Sequence, residues 1–233
     1  MADLVSLVRR NLSDVRGRID RAATRAGRSA ADVQLVAVTK YASAEVAREL
    51  LSAGCLDLGE SRPQELWRKA AALSDSPVRW HLIGSLQRNK VARTLDCVWL
   101  IHSLDRLPLL REIETQCPTD RRVAVLLEIN ISGEPAKHGA APAEAESLLV
   151  AAAQAPHLEV RGLMTMASRD GDLDVARREF AALRTLRDEL RRVAPAHVAL
   201  DELSMGMSGD FEAAIAEGAT IVRVGSALCE GLT

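Results

Sequence analysis

Lys40 follows Val33-Gln34-Leu35-Val36-Ala37-Val38, a short, β-branched and nearly all apolar run that reads as a buried strand. Lysine is costly inside a strand. At a strand's C-terminal end its stem packs on apolar surface while its amine reaches outward. A partly desolvated amine there loses basicity and can attack an aldehyde. A lysine that simply faces solvent fits the same position. A second set of residues bears on the choice. Leu203-Ser204-Met205-Gly206-Met207-Ser208 leads into Asp210-Phe211, and Arg223-Val224-Gly225-Ser226 lies further on. Ser204, Gly225 and Ser226 are small, permit close approach and add hydroxyl donors. Each segment alone is an ordinary strand-to-helix turn, but together they suit a phosphate held by backbone N–H groups. A nucleophilic amine near a phosphate site points to a phosphorylated aldehyde.

Other chemistries have weaker support. Gly133-Glu134-Pro135-Ala136-Lys137-His138-Gly139 has the residues of a phosphate loop in an order that cannot build one. No Gly-x-Gly-x-x-Gly follows the first strand, against a dinucleotide fold. His81, His102, His138, His157 and His197 lack ligand spacing, so no metal site is expected. No Gly-x-Ser-x-Gly elbow occurs, although Gly206-Met207-Ser208-Gly209 is close in composition. Cys55, Cys97, Cys117 and Cys229 are scattered, as isolated thiols in a reducing compartment would be.

The elements that must position Lys40 and the C-terminal loops alternate along the chain. Expected strands are Val33–Val38, Cys55–Leu58, Arg79–Ile83, Cys97–Ile101, Val123–Ile131, Leu158–Leu163, Val198–Leu203 and Thr220–Val224. Expected helices are Leu4–Ala26, Ala44–Leu51, Pro63–Leu73, Gln87–Arg93, Leu107–Thr115, Ala143–Ala153, Leu173–Val193 and Asp210–Ala216. Asp3 and Ser43 are candidate caps, Gly54 is a stop, and Pro118-Thr119-Asp120 and Asp170-Gly171-Asp172 are turns. Strands that alternate with helices make parallel βαβ units, and about eight of them match a (β/α)8 TIM barrel with an extra N-terminal helix. An open doubly wound sheet has the same periodicity. No linker-like stretch divides residues 1–233, so one domain is expected. In barrels the loops after strands seven and eight often bind phosphate, which is where Ser204 and Gly225-Ser226 fall.

A hydrophobic content of 48% is globular, and a net charge of −2 with 3% aromatics argues against a nucleic-acid partner. Met1–Leu12 reaches Arg9-Arg10 without the apolar run of a signal peptide, and no stretch suggests a membrane span. A cytoplasmic protein is expected. Trp80 and Trp99 read as core or barrel-bottom residues, and His81 as a satisfied structural histidine. Met164, Met166, Met205 and Met207 read as packing around the barrel mouth.

Several long motifs, in order, carry a family resemblance. They are Ala37-Val38-Thr39-Lys40, Leu58-Gly59-Glu60 with Gln64-Glu65, Trp80-His81-Leu82-Ile83-Gly84-Ser85-Leu86-Gln87-Arg88-Asn89-Lys90, and Asn130-Ile131-Ser132-Gly133-Glu134. Gly162-Leu163-Met164-Thr165-Met166, Ser204-Met205-Gly206-Met207-Ser208 and Val222-Arg223-Val224-Gly225 follow. From about Val33 to Gly231 the chain resembles the YggS/PROSC family of pyridoxal-phosphate-binding, or pyridoxal phosphate homeostasis, proteins. The resemblance implies a barrel like the N-terminal domain of alanine racemase, fold type III among pyridoxal-phosphate folds. It implies pyridoxal 5′-phosphate as a Schiff base on Lys40, phosphate held by Ser204 and the backbone of Gly225-Ser226, and Arg223 facing the pyridine nitrogen. It leaves room for a second lysine, Lys90 or Lys137, in a weaker cofactor contact. Departures are Ser61 for the family's asparagine after Gly59-Glu60, Pro63, His102-Ser103-Leu104-Asp105, and the ending Cys229-Glu230-Gly231.

The resemblance implies a carrier that buffers the cofactor and delivers it to pyridoxal-phosphate-dependent apoenzymes, without catalytic residues. The alternative is a fold type III racemase. A two-base racemase needs a base on each face of the substrate. In alanine racemases the second base is a tyrosine from a separate domain. The single tyrosine here, Tyr41, adjoins Lys40, and neighbouring strand residues point to opposite faces. The chain also ends at Thr233, soon after the eighth strand, which is expected to leave the mouth open to solvent. A barrel closes without a partner, so a monomer is expected.

Overall fold

A computed structural model describes residues 4–168 and 171–232. Asp3, the expected cap, and Asp170, the first residue of an expected turn, lie outside the described residues. The parallel strands β1 (Gln34–Val38), β2 (Asp57–Glu60), β3 (Arg79–Leu82), β4 (Val98–Leu104), β5 (Val123–Glu128), β6 (Leu158–Met164), β7 (Glu202–Ser204) and β8 (Ile221–Val224) close into a barrel in sequence order. The closure is made by β8 on β1, where Val36 pairs with Arg223 and Ala37 with Val224. That pairing rules out the open sheet.

Around the barrel stand α1 (Leu4–Arg25), α2 (Ala44–Ser52), α3 (Pro63–Ala72), α4 (Val91–Leu95), α5 (Leu107–Gln116), α6 (Ala145–Ala153), α7 (Leu173–Val193) and α8 (Phe211–Ala216). Their starts follow from capping chemistry. Ser43 Oγ accepts the Val46 N–H at 3.2 Å, and Asp172 accepts the N–H groups of Asp174 and Val175. Among the described residues no helix is long and apolar enough to cross a membrane.

The period-2 alternation of the strands sorts side chains into two apolar regions. One face packs against the helices in a large core that includes Ala37, Leu58, Leu82, Ile101, Val125, Leu163, Leu203 and Val222. The other face fills the barrel with Val36, Leu100, Ala124, Leu126, Met164 and Ile221. The helix before the first strand is fastened to the end of the fold. Val8, Leu12, Val15 and Ile19 form its buried stripe, and α1 packs on α2, α8 and the turn after β8. Asn11 donates from Nδ2 to the carbonyls of Leu228 at 3.2 Å and Glu230 at 2.8 Å.

Element boundaries differ from expectation for identifiable reasons. β2 starts at Asp57, not Cys55, because the N–H of Cys55 bonds Leu50 O at 2.9 Å and that of Gly54 bonds Leu51 O at 2.8 Å. With Gly54 at φ 77°, this is a Schellman stop that takes up Cys55. β7 shrinks to Glu202–Ser204 because Leu200 is left-handed, at φ 52°. The expected helix from Gln87 opens as a tight turn, Arg88–Lys90, before α4. Trp80 is 4% exposed, as a core residue should be, but Trp99 is 47% exposed. Trp99 lies on the outward face of β4, with the Arg161 guanidinium 5.5 Å from its ring centroid.

Candidate functional site

At the C-terminal ends of the strands lies a cavity of about 500 Å³. Every strand end except that of β4 contributes small pieces of wall. Lys40 and Tyr41 come from the turn after β1, Ser61 from after β2, and Ile83-Gly84-Ser85 from after β3. Glu128 ends β5, Met166 follows β6, Met207-Ser208-Gly209 follow β7, and Arg223, Gly225 and Ser226 come from β8 and its loop. Of the sequence-predicted residues, Lys40, Arg223, Gly225 and Ser226 are brought together here. Gly84 keeps one wall thin, since a Cβ there would sit 2.1 Å from Ser61 O.

Lys40 stands two residues beyond β1, and it is exposed rather than half-desolvated. Its Nζ lies 5.0 Å from the Tyr41 ring centroid. The strand argument that sent the two side chains apart therefore does not apply, because both residues sit in the turn. Beneath the turn, Thr39 is fully buried, and its N–H bonds Gly59 O at 2.9 Å. Thr39 O accepts Lys69 Nζ at 2.5 Å, and Glu60 Oε1 accepts both Lys69 Nζ and Thr39 Oγ1 at 2.6 Å.

The two C-terminal loops are joined. Arg223 N–H bonds Gly206 O at 3.0 Å, and Gly206 turns at φ 91°. A Cβ at Gly206 would lie 2.6 Å from the Ala214 Cβ. Ser208 Oγ accepts the N–H groups of Gly225 at 3.2 Å and Ala227 at 3.4 Å, so an oxygen already sits in a nest of backbone donors. Ser204 is placed differently from expectation. It is fully buried and absent from the cavity wall, and its Oγ accepts Arg223 Nη1 at 2.7 Å. The strand period explains this: Ser204 is the last residue of β7 and points into the barrel, whereas Ser208 lies in the loop.

Arg223 also donates from Nη2 to Thr165 O at 2.9 Å, and burial lowers its pKa to about 10. Glu128 is the site residue that sequence reasoning missed. It is 3% exposed, and burial, assisted by the charge of Asp105, raises its pKa to about 7. Its signal was a carboxylate closing the apolar run Val123–Leu127, the same kind of position that drew attention to Lys40. Of the two further lysines, Lys137 lines a neighbouring cavity that shares Met166, Met207 and Gly209 with the first. It donates to Ser132 Oγ at 3.0 Å and pairs with Glu134 at 2.8 Å. Lys90 lines neither cavity.

Glu128 makes stability depend on pH. Its folded pKa, about 7, lies above the ordinary 4.5, so between these values the folded chain holds a proton that the unfolded chain releases. The stability it contributes is full below pH 4.5 and is lost as pH rises through about 7. We expect Glu128→Gln to be more stable than the parent at pH 8, by up to about 3 kcal/mol, with the advantage gone at pH 4.5. Urea midpoints of cofactor-free protein at the two pH values check this. Equal differences at both would show that Glu128 titrates normally.

The alanine racemase N-terminal domain model matches residues 11–231. A protein of Pseudomonas aeruginosa named pyridoxal phosphate homeostasis protein is 41% identical over 225 residues, 96% of this chain and 95% of the relative. One of the same name from Aquifex aeolicus is 44% identical over 218 residues, 93% of this chain and 95% of the relative. The structure of PipY from Synechococcus elongatus with pyridoxal phosphate bound superposes with a TM-score of 0.84 at 34% identity, covering 95% of this chain and 99% of PipY. Alanine racemase from Corynebacterium glutamicum, at 17% identity and TM-score 0.71, covers 96% of this chain and 60% of its own length, and shares the fold.

Proposed function

This chain belongs to the family of pyridoxal phosphate homeostasis proteins, built on the alanine racemase N-terminal domain, and from that premise we propose that it binds pyridoxal 5′-phosphate in the cavity above the barrel. Lys40 would hold the cofactor covalently, as a Schiff base. The Ser208 hydroxyl and the backbone of Gly225-Ser226 would take the phosphate. Arg223 would face the ring nitrogen and, as a permanent cation, keep it unprotonated. The cofactor brings an aldehyde that condenses reversibly with amines.

The observation that carries this reading is one cavity containing an accessible amine, a backbone N–H nest closed by Ser208, and a buried guanidinium. The donor set fits a phosphorylated aromatic aldehyde: N–H and hydroxyl donors for the anion, apolar Val38, Ile83 and Met166 for the ring, and Lys40 for the carbonyl carbon.

The role we infer is that of a cytoplasmic, monomeric carrier that buffers the cofactor and passes it to apoenzymes. Lys40 and Tyr41 are both exposed, Tyr41 at 81%, so water reaches the amine freely. An open site disfavours carbanion chemistry and favours exchange. Tyr41 packs beside Lys40 rather than facing it as a second base would. Mixing loaded protein with a pyridoxal-phosphate-dependent apoenzyme should restore that enzyme's activity. A panel of amino acids incubated with the loaded protein should keep its optical activity and its α-hydrogens. Substantial turnover of any of them would replace the carrier by a racemase or related enzyme.

A further inference from the structure

Beneath the cavity, side chains from β2, β3, β4, β7 and β8 form one continuous line through the barrel. His81 Nε2 lies 3.0 Å from Asp57 Oδ1, and His81 Nδ1 lies 2.9 Å from His102 Nε2. His102 Nδ1 lies 2.9 Å from Ser204 Oγ, which accepts Arg223 Nη1 at 2.7 Å. Asp57 is 6% exposed and Arg223 3%, while His81, His102 and Ser204 are fully buried. Water cannot substitute for a missing partner, so each proton in the line needs a defined acceptor.

The two ends determine the direction of every bond. Arginine only donates, so Ser204 Oγ accepts from it and has its own proton to give. The acceptor is His102 Nδ1, which must be bare. His102 then carries its proton on Nε2 and gives it to a bare His81 Nδ1. His81 in turn carries its proton on Nε2 and gives it to the Asp57 carboxylate. Every donor is matched, and both imidazoles are neutral. A cationic His81 would reverse the histidine bonds and aim His102 Nδ1–H at Ser204, whose proton would then lack an acceptor in the line, at a cost of about 1–3 kcal/mol. The surroundings agree. Burial, with the charge of Arg223, holds His102 well below the usual histidine range. Hydrogen bonds from His81 and Arg79 lower the Asp57 pKa against the opposing effect of burial.

We propose that Asp57, His81, His102 and Ser204 are positioning residues for Arg223, forming a one-way hydrogen-bond relay with both histidines neutral and protonated on Nε2. The relay ties Nη1 to Ser204 while Thr165 O holds Nη2, so the guanidinium enters the cavity floor in one fixed orientation. Glu128 and Asp210 are the acidic groups whose charges act on it from other elements. The relay stands on the protein's own side chains. Its effect on a bound ring rests on the function proposed above.

Two measurements test it separately. In full-length protein with 15N-labelled histidine, without cofactor, a through-bond coupling should connect His102 Nε2 to His81 Nδ1. Both rings should carry their proton on Nε2 at neutral pH. A proton on Nδ1 of either ring would overturn the relay whether or not pyridoxal phosphate binds. In loaded protein, Ser204→Ala should shift the pH profile of the bound cofactor's visible band by about one unit, and Ser204→Thr should restore it. An unchanged profile in folded Ser204→Ala would overturn the positioning role. Failure of the parent protein to take up pyridoxal phosphate would instead overturn the proposed function, leaving the relay to be decided by the histidine spectra.

Discussion

Lys40→Ala is expected to purify colourless from cells in which the parent protein is yellow, and to stay colourless when pyridoxal phosphate is added and excess removed. Lys40 supplies the only lysine amine among the described residues lining the cavity. The other cation, Arg223, is buried, tied to Ser204 and Thr165, and remains a poor nucleophile at neutral pH. The phosphate contacts proposed at Ser208 and Gly225-Ser226 are separate from Lys40, so the variant should still bind the cofactor weakly and release it on dialysis. Absorbance spectra before and after dialysis distinguish covalent from phosphate-only binding. Unchanged colour after dialysis of the variant would remove Lys40 from the site.

What could be read in the sequence follows from the range over which each signal acts. The eight strand–helix units were legible because strand and helix periods are local, whereas the closing contact of β8 on β1, which separates a barrel from an open sheet, joins distant parts of the chain and leaves no local period. Lys40, Arg223 and Gly225 were legible as strand-end residues. Ser204 was read as a phosphate ligand just beyond a strand ending at residue 203, whereas β7 runs through Ser204 and buries it inside the barrel. His81 and His102 lie 21 residues apart, and His102 and Ser204 lie 102 apart, so their pairing exists only once the barrel closes. The same holds for Lys69. Arg68 and Lys69 are adjacent on α3, yet Arg68 pairs with Glu65 at the surface while Lys69 is 1% exposed beneath Thr39.

That inward turn of Lys69 places its charge in the core. Lys69 Nζ meets Glu60 Oε1 at 2.6 Å with side-chain exposures of 1% and 0%, and Glu60 Oε2 has no hydrogen-bond partner. Removing one partner of such a pair strands the other charge in the core. Lys69→Met is therefore expected to destabilise the protein by roughly 3–5 kcal/mol, read as a lowered urea midpoint, and Glu60→Gln by a similar amount. Replacing both, as Lys69→Met with Glu60→Leu, should recover most of that loss, because no uncompensated charge remains. Cofactor loading should not recover with it. Lys69 Nζ and Glu60 Oε1 hold Thr39 through its carbonyl and its hydroxyl, and Thr39 directly precedes Lys40. A stable double variant that loads pyridoxal phosphate poorly would mean that the buried pair exists to hold the lysine turn rather than to stabilise the fold. Full loading in the double variant would mean that the barrel alone positions Lys40.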